Sequence, residues 1–155
     1  MAQPSARGDN MTDRKPRIVL FQCQWCLYTE IDQHWVDHDL PSNIQLIKVP
    51  CTGRINPLFI LNAVQGGADG IMICGCVPEK CHFKEGNFSA RRQLDEFANF
   101  LVFTGFDIKR IRFTWIDLQE QGRIQRELSS MENDLFVLGP SVALATRHPL
   151  EGEQS

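Results

Sequence analysis

At 155 residues and a net charge of −3, the chain suits one domain with a single core and lacks the basic surplus that favours nucleic acid or an anionic membrane. The first sixteen residues are polar, without an apolar h-region or a small-residue cleavage site, and read as a flexible leader, not a signal peptide. The longest apolar runs, such as 70–77, are too short to span a bilayer, so no membrane insertion is expected.

Residues 17–22 (RIVLFQ) form a short run of strand formers that ends at Cys23. A helix is expected over 27–37, with Leu27, Ile31, Trp35 and Val36 near helical spacing. After Pro41, Ser42 and Asn43, residues 44–49 (IQLIKV) make the second strand, followed by Pro50 and Cys51. Asn56 before Pro57 pairs an N-cap with proline at the first helical position. The helix that follows, 57–65, carries no charge, which implies packing on both sides, and Gly66-Gly67 closes it.

A third strand leads from 69–73 (DGIMI) into Cys74 and Cys76. Asn87 is the expected cap of a third helix reaching Phe103, with Ala90, Leu94, Phe97 and Leu101 as its apolar stripe and Gly105 as its stop. Ile111, Phe113 and Trp115 alternate with Arg110, Arg112 and Thr114, the pattern of a strand near a sheet edge. Ile124, Leu128, Met131, Leu135 and Leu138 trace a last helix, closed by Gly139-Pro140. The expected organisation is a leader (1–16), an α/β domain (17–140) and an aperiodic tail (141–155). Strand–helix alternation of this kind calls for an open, doubly wound parallel sheet of about four strands, in flavodoxin-like order 2-1-3-4.

That order sets strands one and three side by side, and ligands in such sheets bind beyond the strand carboxyl ends. Cys23 and Cys26 would then face Cys76 and Cys81 across a crevice, with Cys51 flanking them. Clustered thiolates are soft ligands for zinc, copper(I) or iron–sulfur clusters. Both pair spacings, Cys23-x2-Cys26 and Cys76-x4-Cys81, occur in cluster-binding sequences. Reduced thiols fit a cytoplasmic protein, where disulfide scaffolds are disfavoured. Cys74 reads as a buried small side chain inside strand three. Phe21, Trp25, Phe59, Ile60 and Phe83 around the cysteines would limit water at such a site, although each taken singly reads as core.

The motifs CQWC at 23–26, VPCTGR at 49–54 and GCVPEKCHFKEGN at 75–87 together resemble the delta subunit of methyl-viologen-reducing hydrogenase. The resemblance runs from about residue 17 to residue 140. It implies a small iron–sulfur subunit that carries a 2Fe-2S cluster and has no active site of its own. It also implies electron relay between a hydrogenase, or another dehydrogenase module, and the flavin-bearing A-type component of heterodisulfide reductase. Cys23, Cys26, Cys51, Cys76 and Cys81 correspond to the family's cysteines, with the choice of four among them open. Cys74, where a plain apolar residue is common, and residues 28–39 depart from the family pattern.

Other residues have simpler readings. His82 is expected to make a hydrogen bond near the cysteines, and Gly75 and Gly86 to serve tight turns there. His34 and His38 have the spacing of helical zinc ligands but lack a partnering glutamate and read as a solvated helix face. Arg54 and Lys84 either offset cluster charge, attract an acidic partner surface or simply face solvent. Two alternatives compete with electron transfer: a dithiol oxidoreductase built on Cys23 and Cys26, and a zinc-stabilised adaptor.

Overall fold

The computed structural model describes residues 14–25, 29–103, 105–117 and 119–141. Along them alternate β1 (Ile18–Cys23), α1 (Glu30–His38), β2 (Ile44–Val49), α2 (Pro57–Gln65), β3 (Gly70–Cys76), α3 (Gly86–Phe103), β4 (Ile111–Ile116) and α4 (Arg123–Leu138). Short 3-10 turns, Thr52–Arg54 and Ile108–Arg110, precede α2 and β4. The strands form one parallel sheet of order β2-β1-β3-β4, the expected doubly wound α/β arrangement. No helix among the described residues is long and apolar enough to cross a membrane.

The central strands β1 and β3 are buried at every residue, which is why their sequences are apolar apart from Gln22. Alternate residues feed two cores. Ile18, Leu20, Met72 and Cys74 pack with Val36 of α1 and with Ile124, Leu128, Met131 and Leu135 of α4. On the other face Val19, Phe21, Ile71 and Ile73 pack with Ile60 and Val64 of α2 and Leu94 and Leu101 of α3. β4 lies at the edge, as its alternation implied, and Leu138 is only partly buried against the first core.

Three helix expectations need correction. α1 starts at Glu30 because Thr29 caps it: its hydroxyl accepts from Asp32 N at 3.1 Å and donates to the Asp32 carboxylate at 2.8 Å. The other Asp32 oxygen accepts from Gly122 N at 2.8 Å, so this buried carboxylate also ties α1 to the start of α4. Leu27 lies outside the described residues. α2 is capped by Asn56 as expected, but only Ile60 and Val64 are buried and Ala63 packs partly against the core, while Leu58 and Phe59 are 58% and 47% exposed. A groove of about 710 Å³, lined in part by Phe59, Ile47 and Val19, runs between α2 and β2. Asn87 does not cap α3; the helix begins one residue earlier, at Gly86.

At the amino-terminal edge of the sheet, buried Asp69 gathers the two ends of the described chain. Its carboxylate accepts from Arg14 at 2.7 Å, Arg17 N at 2.8 Å and Ser141 N at 3.1 Å. Its carbonyl accepts from buried Arg110 at 3.2 Å, and Arg110 also reaches the carbonyls of Leu138 and Pro140. Residues 1–13 of the expected leader and 142–155 of the expected tail lie outside the described residues. Replacing Asp69 with Ala strands two backbone donors and a guanidinium, so Asp69→Ala should destabilise the fold by about 2–4 kcal/mol. Urea unfolding checks this: the midpoint falls while the slope holds.

Candidate metal centre at the carboxyl edge of the sheet

Because all strands run one way, the ends of β1 and β3 lie together at one edge. Cys23 is the last residue of β1 and Cys76 the last of β3; both are buried, with their sulfurs 4.0 Å apart. Cys23 Sγ is also 3.8 Å from the carbonyl of Pro50, the first residue past β2. The next residue, Cys51, caps the 3-10 turn: Gly53 N–H donates to its sulfur at 3.4 Å. Burial pushes the Cys51 thiol pKa up, the Gly53 N–H opposes that, and the neighbouring thiols of Cys81 and Cys23 raise it further.

Cys81, half-buried, arrives on the loop between β3 and α3. Gly86 shows how it meets Cys51. A Cβ on Gly86 would lie 2.3 Å from Cys51 Sγ and 3.5 Å from Cys81 Sγ. A Cβ on Gly53 would lie 2.9 Å from the Gly86 carbonyl oxygen. The turn after β2 and the start of α3 therefore interlock through two glycines, with the Cys51 thiol in the space a side chain would fill. This corrects the turn expectation for Gly86, and for Gly75, which sits inside β3 against Phe113. The left-handed positions of the loop are instead Glu79 (φ 67°) and Lys84 (φ 63°), neither of them glycine.

Of the five expected cysteines, the structure gathers Cys23, Cys51, Cys76 and Cys81; Cys26 lies outside the described residues. Among the described residues, no three Cys, His, Asp or Glu side chains are drawn to metal-ligating spacing. Cys74 is set apart as expected, wholly buried in β3 beneath α4, where burial drives its thiol pKa far above the usual range and Glu127 adds to the effect.

The aromatic residues divide differently from their core reading. Phe21 and Ile60 are core, but Trp25 and Phe83 are 43% and 51% exposed at the crevice, and Phe59 stands out from α2. Among the described residues the contact seen for His82 near the cysteines is a stack on Trp25, with centroids 3.8 Å apart and planes 8° from parallel. Phe83 meets His82 edge-on at 4.9 Å. His34 and His38 lie exposed on α1, as a solvated face requires, and Arg54 and Lys84 are exposed. A cavity of about 410 Å³ opens beside Cys51, with Arg54, Phe83, Glu85 and Ser89 in its walls.

Sequence reasoning missed the true role of Asn87. It is fully buried, and its amide nitrogen donates to the carbonyls of Cys76 at 2.9 Å and Val77 at 3.1 Å. Its Oδ1 accepts from Phe88 N at 2.9 Å. The pattern that suggests a cap, asparagine just ahead of an apolar helical stripe, is real; the amide instead donates to Cys76, the last residue of β3, and to Val77 just past it.

An open parallel sheet whose carboxyl edge gathers thiols from the ends of three strands and the loops beyond them defines a class, that of small α/β domains built around a sulfur-lined centre. Within it, the chain belongs to the methyl-viologen-reducing hydrogenase delta subunit family, which matches residues 18–139. It is 33% identical over 127 residues to the D-type iron-sulfur subunit of the F420-non-reducing hydrogenase of Archaeoglobus profundus, covering 81% of this chain and 93% of that one. The D-type iron-sulfur subunit of the vhc F420-non-reducing hydrogenase from Methanococcus voltae is 35% identical, with 81% and 88% covered. The A-type component of the ferredoxin:CoB-CoM heterodisulfide reductase of Methanosarcina mazei is 36% identical over 126 residues, yet this chain spans only 16% of its length.

In Gly86→Ala the added methyl must displace either Cys51 or the first turn of α3. The expected cost is about 1–3 kcal/mol, with faster alkylation of Cys51 by iodoacetamide. Thermal unfolding and mass spectrometry of labelled peptides check both.

Proposed function

We propose that this chain is an iron–sulfur electron-transfer subunit, in which four thiolates from Cys23, Cys26, Cys51, Cys76 and Cys81 hold a 2Fe-2S cluster. The observation that carries the reading is the meeting of Cys23 with Cys76 and of Cys51 with Cys81 at one sheet edge. The donor set fits the group: the gathered side chains are thiols, the soft ligands that iron–sulfur clusters take. The missing side chain of Gly86 gives the Cys51 thiol its place beside Cys81, and Gly53 N–H already points at sulfur, the kind of hydrogen bond that favours an anionic thiolate. When bound, such a cluster supplies reversible one-electron storage.

The chain's own part is to hold, shield and bias. Burial of Cys23, Cys51 and Cys76 excludes water from three of the sulfurs, and the Trp25–His82 stack covers the approach from the loops. None of this requires a general acid, base or nucleophile. The dithiol alternative loses support because Cys23 ends a strand and α1 starts at Glu30, so among the described residues the CxxC motif does not open α1, the placement that would lower its thiol pKa.

The names of the relatives support membership in hydrogenase and heterodisulfide reductase complexes; within this reading a hydrogenase or another dehydrogenase module is the donor and a heterodisulfide reductase A-type flavoprotein the acceptor. In Methanosarcina mazei the matching domain is itself part of a longer A-type heterodisulfide reductase component. A cytoplasmic location goes with this reading, since thiols stay reduced there.

Anaerobic purification with iron, sulfide and EPR analysis tests the proposal. Iron and labile sulfide should be present in equal amounts. Cys26→Ser, Cys76→Ser and Cys81→Ser should lower iron content, whereas Cys74→Ala should leave it unchanged. One zinc per chain without sulfide, or full iron in both Cys76→Ser and Cys81→Ser, would sink it.

A further inference from the structure

We propose that Asn87 is a positioning residue for the thiol crevice, clamping the exit of β3 to the first turn of α3 and so fixing Cys76 directly and the Cys81 loop indirectly. Its amide bridges the two elements with all of its described hydrogen bonds to main-chain atoms: two donated to the carbonyls of Cys76 and Val77, one accepted from Phe88 N. A carboxamide at 0% exposure is costly to bury unless its bonds are made, so this geometry resists displacement.

The clamp closes a demanding loop. Residues 77–85 carry Cys81 and hold two non-glycine residues, Glu79 and Lys84, at positive φ. Such conformations are strained for residues with a Cβ and persist only where surrounding structure over-determines them. Turn bonds from Lys80 N to Val77 O and from Lys84 N to Cys81 O shape the loop internally. Asn87 joins its two ends. It is also the neighbour of Gly86, whose backbone abuts the Cys51 thiol, so one side chain sets the spacing of all three cysteines. The residue acts through the backbone and not through contact with sulfur.

The test uses the full-length chain, anaerobic, with Asn87→Leu (similar volume, no polar group) and Asn87→Asp (acceptor kept, both donors lost). Iodoacetamide labelling after chelator treatment is followed by mass spectrometry at Cys76 and at Cys74, the wholly buried control on the same strand. Loss of two hydrogen bonds should speed Cys76 labelling about tenfold or more, with Cys74 unchanged. The same variants, loaded with iron and sulfide, should show a shifted reduction potential and altered EPR line shape. Unchanged Cys76 labelling overturns the proposal, and so does parallel acceleration at Cys74, the mark of a purely structural role through global unfolding. The redox readout rests on the iron–sulfur reading and the labelling readout does not. Wild-type protein without iron and sulfide would therefore refute that reading while the labelling still judges Asn87.

Discussion

The parallel run of the four strands is the constraint on which everything else depends. It forces a crossover helix after each of the first three strands and thereby covers both faces of the sheet. It also collects every strand end at one edge. The chain leaves β1 outward to β2, then returns past β1 to place β3 on its other side. That reversal opens a crevice between the ends of β1 and β3, where Cys23 and Cys76 meet. Residues 53 positions apart become neighbours through topology alone.

Once the sheet is in place, the chemistry of the crevice follows from what is small and what is buried. Two glycines let backbone approach backbone closely enough to enclose the Cys51 thiol. A buried asparagine supplies the bonds that a strand cannot make once its ladder ends. The aromatic pair at the rim joins the β1 exit to the Cys81 loop by stacking, a contact that tolerates some sliding and so suits a boundary between a fixed strand end and a loop.

The strand order and the grouping of Cys23, Cys51, Cys76 and Cys81 were legible because the signals were redundant: apolar runs for β1 and β3, interrupted only by Gln22 and each closed by cysteine. Helix α4 was legible through its spacing of inward residues. The misreadings have local causes. Leu27 fits the α1 periodicity, but the Thr29–Asp32 capping pair sets the start of the helix. A helix without charge looks buried all round, yet α2 covers too little of β2 to bury Leu58 and Phe59. Glycine suggested turns at 75 and 86, where the need was for space; the left-handed turns fell to Glu79 and Lys84, which no residue-type rule selects. His82 could not be assigned to Trp25 from sequence because the stack joins two separate loops.

The Asp69 carboxylate has a consequence for how this domain travels between proteins. By binding both Arg14 and Ser141, it brings the two flanks of the folded unit together at the edge farthest from the thiols. A unit with adjoining ends can be spliced into another polypeptide with little distortion of either. The matched region fits such portability: it spans 93% of the Archaeoglobus profundus relative and 16% of the much longer Methanosarcina mazei one. Among the described residues the two flanks meet at the edge of the sheet opposite the one that carries Cys23 and Cys76.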